Sequence, residues 1–382
     1  MNVGIVVNAS TIMSSMCYSL FRIEPYNYCS FDCIYCYSKW YLKEPKDSIV
    51  NYRNVRIALK VLSKIKAKQL KPIPARLSTL VEPFDSMEYR EKVSLKILKH
   101  ALKKKYPLII NTKSTLLAEE PWIRIIEDLA SEGLIVVQYS ISLFDDEKAR
   151  NIEPNAPSIS ERLKVASKLS EINVPIVLRI SPFILDAYDI DEIVDTAVSV
   201  DSKHVIVESL RGTLDMFVKI HKLLNIKPPN KIDNYSILTQ NIVRHPREKL
   251  LAVYSKLSSY LSREKIGFAT CKEGFFSLHT VPDCCGFYLL REYVKRPTLF
   301  EFYIYAKSKG SFSLGSVDDV YSEICDSENI VCSKDLEAYP RVLRKPLKYH
   351  EKRLIKILKD ENTLNKLGTD LKILENRIYA KS

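Results

Sequence analysis

Three cysteines, Cys29, Cys33 and Cys36, fall within eight positions in the stretch CSFDCIYCYS. Thiolates are soft ligands that suit zinc ions and iron–sulfur clusters. Either centre usually takes four protein ligands, whereas this spacing supplies three. The nearest further cysteine, Cys17, lies twelve residues upstream. Three thiols would leave one iron of a cluster open to bind a substrate or cofactor directly; a zinc ion with Cys17 or a distant fourth ligand is the alternative.

A second cysteine region lies near the C-terminal third of the chain. The stretch TCKEGFFSLHTVPDCCGFY contains Cys271, His279, Cys284 and Cys285. Such side chains are ligands for a second iron–sulfur cluster or a zinc ion. Adjacent cysteines on an extended chain point to opposite faces, so both bind one metal only where the chain turns, as Gly286 would allow. Buried, unreactive thiols are the alternative.

Alternating strands and helices must position these residues. Short apolar runs predict six strands, at 18–25, 75–79, 107–112, 134–142, 174–182 and 204–209. Helical spacing predicts helices at 51–68, 87–105, 121–131, 158–172, 189–200 and 213–224. The strands are apolar on both faces, as in a parallel sheet covered by helices. This pattern fits both an open doubly wound sheet and a partial barrel.

The remainder of the chain divides into two predicted regions. KPPNKIDN at 227–234 indicates a linker, and a helix is predicted at 247–262 before the second cysteine region. In the last forty residues the apolar positions predict one or two amphipathic helices, from Leu354, Leu358, Leu367, Leu371 and Leu374. We therefore expect a core at 1–226, an extension at 227–340 and a basic helical tail at 341–382.

The first motif resembles a known family. CxxxCxxC, with an aromatic residue before its last cysteine and placed after the first strand of a series of β/α units, is similar to the radical S-adenosylmethionine (SAM) superfamily. The resemblance implies an α/β fold, a partial (β/α)6 TIM-type barrel, here with a mainly helical C-terminal extension. It places the site at the carboxyl ends of the strands.

The resemblance also implies the cofactors. Cys29, Cys33 and Cys36 would hold a [4Fe–4S] cluster whose open iron binds SAM. One electron from the cluster cleaves SAM to methionine and a 5′-deoxyadenosyl radical, which abstracts a hydrogen atom from the substrate. The electron would come from a reductant such as ferredoxin or flavodoxin.

Further residues resemble the spore photoproduct lyase-like branch of this family. Tyr35 and Tyr37 flank the last cysteine as two tyrosines do there, and are candidates for contacting SAM (Tyr35) and for relaying a hydrogen atom (both). Glu82 in VEPF resembles an acidic SAM contact, Lys113 in NTKS a lysine near the SAM carboxylate, and Ser140 in QYSIS a serine near SAM. A zwitterionic ligand with a sulfonium group needs both an anion and a cation. Ordinary packing and solvated strand ends are the alternative roles.

The sequence departs from that branch at the position of its hydrogen donor. Spore photoproduct lyases carry a cysteine just after the second strand, whereas this chain has Ser78 and Thr79 there. A hydroxyl O–H bond is too strong to donate hydrogen readily to a carbon radical. The glycine before the first cysteine is replaced by Tyr28, and the histidine within the motif is absent. The thymine-dimer reaction of that enzyme is therefore not expected here.

Charge and composition narrow the classes of partner. The net charge is +12, and the last 42 residues carry twelve Lys/Arg against five Asp/Glu, an excess of seven. A basic protein of this size often binds nucleic acid, although a general lysine bias gives the same excess. No apolar run reaches the length of a membrane span, so we expect a cytoplasmic protein without membrane contact. Nine cysteines, an odd number, favour thiols and metal ligands over a disulfide framework.

These features predict a radical SAM enzyme, lyase-like or modifying, with nucleic acid as a candidate substrate. A radical SAM enzyme acting on a peptide or small molecule, with a second cluster in the extension, is an alternative. A nucleic-acid-binding protein held together by zinc or an iron–sulfur centre is the non-enzymatic alternative. It lacks a zinc-finger spacing and does not account for six β/α units.

Overall fold

The computed structural model describes residues 4–42, 48–234 and 241–381. Its strands are β1 (Arg22–Ile23), β2 (Ala75–Leu77), β3 (Leu108–Thr112), β4 (Ile135–Ile141), β5 (Ile176–Phe183), β6 (His204–Ser209), β7 (Arg211–Gly212), β8 (Asp233–Asn234), β9 (Val243–Arg244), β10 (Gly267–Thr270), β11 (Phe312–Ser313), β12 (Leu371–Leu374) and β13 (Arg377–Ala380). The largest sheet has the order β1-β2-β3-β4-β5-β6-β10, and each of its strands runs parallel to its neighbour. The predicted α/β fold of the partial-barrel type is confirmed. The seventh strand, β10, was not predicted.

Helices follow the strands and cover the outside of the sheet. They are α1 (Thr11–Met16), α2 (Tyr52–Ala67), α3 (Glu88–Glu91), α4 (Val93–Lys104), α5 (Trp122–Ser131), α6 (Asp146–Ile152), α7 (Ile159–Glu171), α8 (Ile190–Ser199), α9 (Leu214–Leu223), α10 (Arg247–Arg263), α11 (Leu299–Lys309), α12 (Val317–Cys325), α13 (Arg341–Leu358) and α14 (Glu361–Leu367). Among the described residues no helix is both long enough and apolar enough to cross a membrane.

Capping residues explain why the predicted helices begin where they do. Asn51, Ser158, Asp189 and Thr213 each accept a backbone N–H bond from the first turn of the helix that follows. These bonds satisfy donors that have no partner within the helix. The helix predicted at 87–105 is instead divided into α3 and α4, because Lys92 adopts a left-handed conformation with φ 50°.

The end of the chain is not wholly helical, so the predicted helical tail is wrong in its last part. After α14, residues 371–374 and 377–380 form the antiparallel hairpin β12–β13. Leu371 and Ile373 are buried on one face, a spacing of two that suits a strand better than a helix. Glu375 and Asn376 turn the chain with φ values of 48° and 57°, as a tight hairpin requires.

The large sheet is buried on both faces. Residues such as Leu108 and Ile110 pack toward the helices that surround it. The alternate residues Ile109, Val136 and Val177 pack instead against residues of the C-terminal region. Side chains alternate between the two faces of a strand, so this second set lines one continuous surface. We call it the concave face, and it includes the corresponding residues Ile206 and Ala269.

His350 joins α13 to the N-terminal segment. Its side chain is 1% exposed; Nε2 lies 2.8 Å from the carbonyl oxygen of Val7, and Nδ1 lies 3.2 Å from Ser14 Oγ. A neutral ring donates to the carbonyl and accepts from the hydroxyl. Burial, followed by the positive charge of Arg296, lowers the pKa of His350 from 6.5 to about 4.

The free energy of unfolding should therefore fall at acid pH. Because the folded pKa of His350 lies below the unfolded value, the unfolded chain takes up the proton first, and stability is lost as the pH falls from 6.5 toward 4. Between about pH 7.5 and about pH 5 this one ring accounts for roughly 2 kcal/mol. Urea unfolding of wild type and His350→Gln at both pH values measures it. An equal pH dependence in the two proteins would contradict this assignment.

Candidate active site

The cysteine loop follows β1 and is tied to neighbouring loops by hydrogen bonds. The backbone N–H and the hydroxyl of Ser30 each donate to the carboxylate of Asp85 at 2.6 Å. The N–H of Ile34 donates to the carbonyl of Ile152 at 2.9 Å, and Asn155 donates to the carbonyl of Ser30 at 2.9 Å. These bonds join the loop to the segments that follow β2 and β4.

The three thiols of this loop are free. The backbone N–H of Glu82 donates to the sulfur of Cys29, and the buried Cys33 lies beside Lys113 and Cys36. Burial raises the pKa values of Cys29 and Cys33 to about 12. Metal binding reverses this preference for the thiol, because a coordinated thiol loses its proton.

Glu82 is a buried carboxylate in the loop that follows β2. It accepts hydrogen bonds from the hydroxyl of Thr112 at 2.7 Å, from the backbone N–H of Lys113 at 2.8 Å and from that of Phe84 at 3.1 Å. Burial raises the pKa of Glu82 to about 7, although these donors and the charge of Lys113 act in the opposite direction. The carboxylate therefore lies against the cysteine loop and the end of β3.

Lys113 and Ser140 come together at the same edge of the sheet. Lys113 Nζ lies 3.0 Å from Ser140 Oγ and 3.8 Å from Glu153 Oε1, and it stands 5.6 Å from the centre of the Tyr35 ring. The carboxyl ends of adjacent parallel strands meet at one edge, which is why residues predicted at separate strand ends become neighbours here. The site therefore presents an anion, a cation and a hydroxyl close to the cysteine loop.

Glu153 was missed by the sequence analysis. Its carboxylate, 1% exposed, lies 2.5 Å from Arg162 Nη2 and also accepts from the hydroxyl of Tyr35. Burial alone would raise the pKa of Glu153, but Lys113 and Arg162 hold it below its usual value. No motif marks this residue. The sequence could have indicated it only through topology, because the segment after β4 lies at the same edge of the sheet as Lys113.

The two tyrosines that flank the last cysteine have different surroundings. The hydroxyl of Tyr35 donates to Glu153, so its ring forms part of the wall beside Lys113. Tyr37 is 47% exposed, and its hydroxyl donates to the carbonyl of Thr79. Tyr37 therefore stands at the opening of the site.

Ser78 and Thr79 are both bound to a buried carboxylate. Their hydroxyls donate to Glu24, which also accepts the backbone N–H of Thr79 at 2.9 Å. Glu24 is 1% exposed and precedes the cysteine loop. The two hydroxyls therefore support the loop through Glu24, a role that the sequence did not indicate.

Comparison with known proteins identifies the domain that carries this site. Residues 23–200 match the model of the radical SAM superfamily. This part of the chain is a radical SAM domain. It contains the cysteine loop together with Glu82, Lys113 and Ser140. No curated protein matches the chain.

One solved structure supports the fold of the radical SAM domain, and a second is less similar in structure. A spore photoproduct lyase complexed with dinucleoside spore photoproduct is 14% identical, with a TM-score of 0.50, and the match covers 66% of this chain and 76% of that one. Streptococcus suis SuiB bound to S-adenosylmethionine is 15% identical, with a TM-score of 0.44 and coverage of 65% and 49%. This chain thus spans about half the length of SuiB. At such identities the likeness concerns the fold.

The residues of the radical SAM domain fit the two cofactors that the family implies. Three free thiols in one loop offer soft ligands for a [4Fe–4S] cluster and leave one iron for another ligand. Glu82 and Lys113 offer the anion and the cation that a zwitterion requires. In the described part of the chain, no group of three or more His, Cys, Asp or Glu side chains is already arranged to hold a metal ion.

The second cysteine region lies outside the radical SAM domain. The sequence grouped its three cysteines with His279, whereas the structure groups them with Cys17. Cys271 hydrogen-bonds with Cys284, which lies beside Cys285, and Cys17 interacts electrostatically with Cys271 and Cys285. His279 Nε2 instead accepts the backbone N–H of Thr270 at 3.0 Å. The sequence placed Cys17 only as an alternative ligand for the first motif.

Two of the remaining cysteines are paired. Cys325 and Cys332 form a disulfide with their Cα atoms 5.8 Å apart. The expectation that the cysteines would be thiols or metal ligands is wrong for this pair. Both side chains are buried, and Asn329 between them turns the chain with φ 60°.

Proposed function

We propose that this protein is a radical SAM enzyme that cleaves SAM reductively and abstracts a hydrogen atom from its substrate. The observation that carries the proposal is the contact between the cysteine loop and the charged residues at the strand ends. Cys29 accepts the N–H of Glu82, while Cys33 lies beside Lys113. Metal ligands and groups suited to an amino acid zwitterion therefore share one site.

Each residue of the site has a distinct role in this proposal. Cys29, Cys33 and Cys36 hold the [4Fe–4S] cluster, which when bound supplies the electron that breaks a carbon–sulfur bond of SAM. Glu82 would accept an N–H bond from the amino group of SAM, and Lys113 would pair with its carboxylate. Opposite charges at hydrogen-bond distance fix both the position and the orientation of the ligand.

The test measures cofactor and chemistry together. After anaerobic reconstitution, iron and sulfide are counted per chain, and SAM is added with dithionite or with a reduced ferredoxin or flavodoxin. We expect a [4Fe–4S] cluster and the formation of 5′-deoxyadenosine. Zinc without iron, or a cluster that never cleaves SAM, would refute the proposal.

Lys113 should contribute strongly to SAM affinity. Replacing it by methionine keeps the length of the side chain and removes the charge, whereas Lys113→Arg retains a cation. Loss of a charge-assisted hydrogen bond costs about 1.5–3 kcal/mol, a roughly ten- to hundredfold rise in Kd. Calorimetry on the reconstituted protein measures it, with Lys148→Met, an exposed lysine of α6, as the control. Unchanged affinity in Lys113→Met would exclude this lysine from the SAM site.

Nucleic acid is the substrate class that we propose. The net charge of +12 supports it. A cleft of about 400 Å³ gives further support. It lies at the N-terminal turn of α2, the helix that follows the cysteine loop, and is lined by Arg53, Arg341 and Lys345. All three side chains are exposed. Phosphate groups release counterions when they bind such cations.

Salt dependence tests this refinement. Affinity for DNA or RNA should fall steeply with salt, and the double variant Arg341→Glu/Lys345→Glu should have a shallower slope, by roughly 0.9 for each phosphate that the cleft no longer neutralises. Lys307→Glu/Lys309→Glu in α11 makes the same change of charge outside the cleft. Binding of nucleic acid that does not change with salt would count against the cleft. An equal salt slope in the two double variants would also count against it.

A further inference from the structure

Four free thiols lie near one another, separately from the three-cysteine loop; three line the concave face, and the fourth packs against the core on the helix-covered side. They belong to Cys17, Cys271, Cys284 and Cys285, which come from three segments of the chain. The sulfurs of Cys284 and Cys285 lie 3.9 Å apart, and Cys284 also hydrogen-bonds with Cys271. Cys17 interacts electrostatically with Cys271 and Cys285. Residues more than 250 positions apart thus lie near enough to interact, although their sulfurs are not already arranged as a metal site.

The seventh strand of the sheet places Cys271. It follows β10 directly, and its N–H donates to the carbonyl of Val207 in β6 at 2.8 Å. Cys271 lies two residues beyond Ala269, so its side chain continues the row that lines the concave face. The backbone carbonyl of Cys271 accepts from Arg211 at 3.0 Å.

A built turn brings the adjacent cysteines to the same centre. The buried carboxylate of Asp283 accepts the N–H groups of Cys285 at 3.0 Å and of Phe287 at 2.9 Å. Gly286 has φ +80°, and a Cβ there would come within 3.1 Å of Val136. Gln138 donates to the carbonyl of Cys285 at 2.8 Å. The extended geometry that would separate the two sulfurs is therefore avoided.

Cations surround these thiols. Arg76 Nη2 lies 3.6 Å from Cys285 Sγ, the buried Arg179 hydrogen-bonds with Cys271, and Lys272 interacts with both Cys17 and Cys271. Burying thiolates among apolar side chains is costly unless positive charge compensates them. Arg179 and Lys272 also form ion pairs with the carboxylate of Glu208, which offsets part of their charge. The positive charge that remains favours thiolates, the form that binds metal, over neutral thiols.

We propose that Cys17, Cys271, Cys284 and Cys285 form a second metal centre of four thiolate ligands, held either as a zinc ion or as an iron–sulfur cluster. A tetrahedral set of four sulfurs suits both zinc and iron–sulfur centres. With metal–sulfur bonds of about 2.3 Å, two sulfurs on one metal lie about 3.8 Å apart. The separation of 3.9 Å between Cys284 and Cys285 matches this value. The side chains of Cys17 and Cys271 then rotate to complete the set.

Such a centre is closed, in contrast to the three-cysteine site. Four protein ligands leave no position for SAM, so the centre serves structure or electron transfer. Lys272 interacts electrostatically with Cys271 and also with Tyr37 beside the last cysteine of the loop, so its charge acts on both sites. The metal would also fasten the N-terminal segment to the C-terminal extension through Cys17.

The test uses a chain whose first site has been removed. The variant Cys29→Ala/Cys33→Ala/Cys36→Ala is treated anaerobically with ferrous iron and sulfide, or with zinc, and metal per chain is counted after desalting. We expect retained metal, reduced to background by adding Cys271→Ser or Cys17→Ser and unaffected by adding His279→Gln. Because this chain lacks the SAM site, failure of the proposed SAM chemistry would not affect the result.

A second measurement covers variants that do not fold. In the triple variant, mass spectrometry after alkylation should show Cys17, Cys271, Cys284 and Cys285 protected by metal and released by chelator. Absorption and Mössbauer spectra distinguish an iron–sulfur cluster from zinc, and either result supports the centre. No retained metal, or alkylation that metal does not change, would overturn it.

Discussion

Replacing Cys33 by alanine should abolish the cleavage of SAM while the chain remains folded. Cys33 is 8% exposed and interacts electrostatically with Lys113 and Cys36, so its thiolate is the most buried ligand of the proposed cluster. With two ligands left in the loop, the cluster is lost. The decrease in 5′-deoxyadenosine should exceed the roughly 10- to 100-fold that changes around a ligand usually cost.

The control for this prediction lies in the same loop. Asp32 is exposed and pairs with Lys39 at 2.5 Å, and its φ of 49° is a conformation that asparagine tolerates. Asp32→Asn should therefore retain iron, sulfide and SAM cleavage. Circular dichroism and thermal unfolding show whether each variant is folded. A folded Cys33→Ala protein that still forms 5′-deoxyadenosine would contradict the assignment of the ligands.

Local patterns predicted the elements that position the site. Helices α2, α5, α7, α8 and α9 lie within the predicted ranges, because apolar spacing and capping residues act within a few positions of the chain. Glu82, Lys113 and Ser140 were each expected at a strand end, and parallel pairing brings those ends to one edge. Motif and topology together thus anticipated how these residues would be grouped.

Contacts between distant segments were not predictable in the same way. Strand β10 is four residues long and joins β6 across more than fifty residues, so tertiary packing determines its pairing. Tertiary packing likewise brings Cys17 close enough to Cys271 for electrostatic interaction. Glu153 follows a helix in an irregular segment, where neither a spacing of two nor one of 3.6 indicates that it points inward. The carboxylate that supports Lys113 therefore appeared only in the structure.

Glu153→Gln should be among the most destabilising single changes in this site. The replacement leaves Arg162, whose side chain is 1% exposed, without its ion pair at 2.5 Å. Breaking a buried pair by removing one partner costs about 3–5 kcal/mol, because the remaining charge cannot reach water. Lys113 also loses the carboxylate 3.8 Å away, so SAM affinity should fall together with stability.

A double variant separates the buried charge from other effects. In Glu153→Gln/Arg162→Met no buried arginine lacks a partner, so part of the lost stability should return, although Arg162 also donates to the carbonyls of Pro157 and Ser140. SAM affinity should not return, because Lys113 still lacks its carboxylate. Urea unfolding and calorimetry measure the two quantities. If Glu153→Gln lowers the free energy of unfolding by less than about 1 kcal/mol, water reaches Arg162. Glu153 would then not be the residue that holds Lys113 in place.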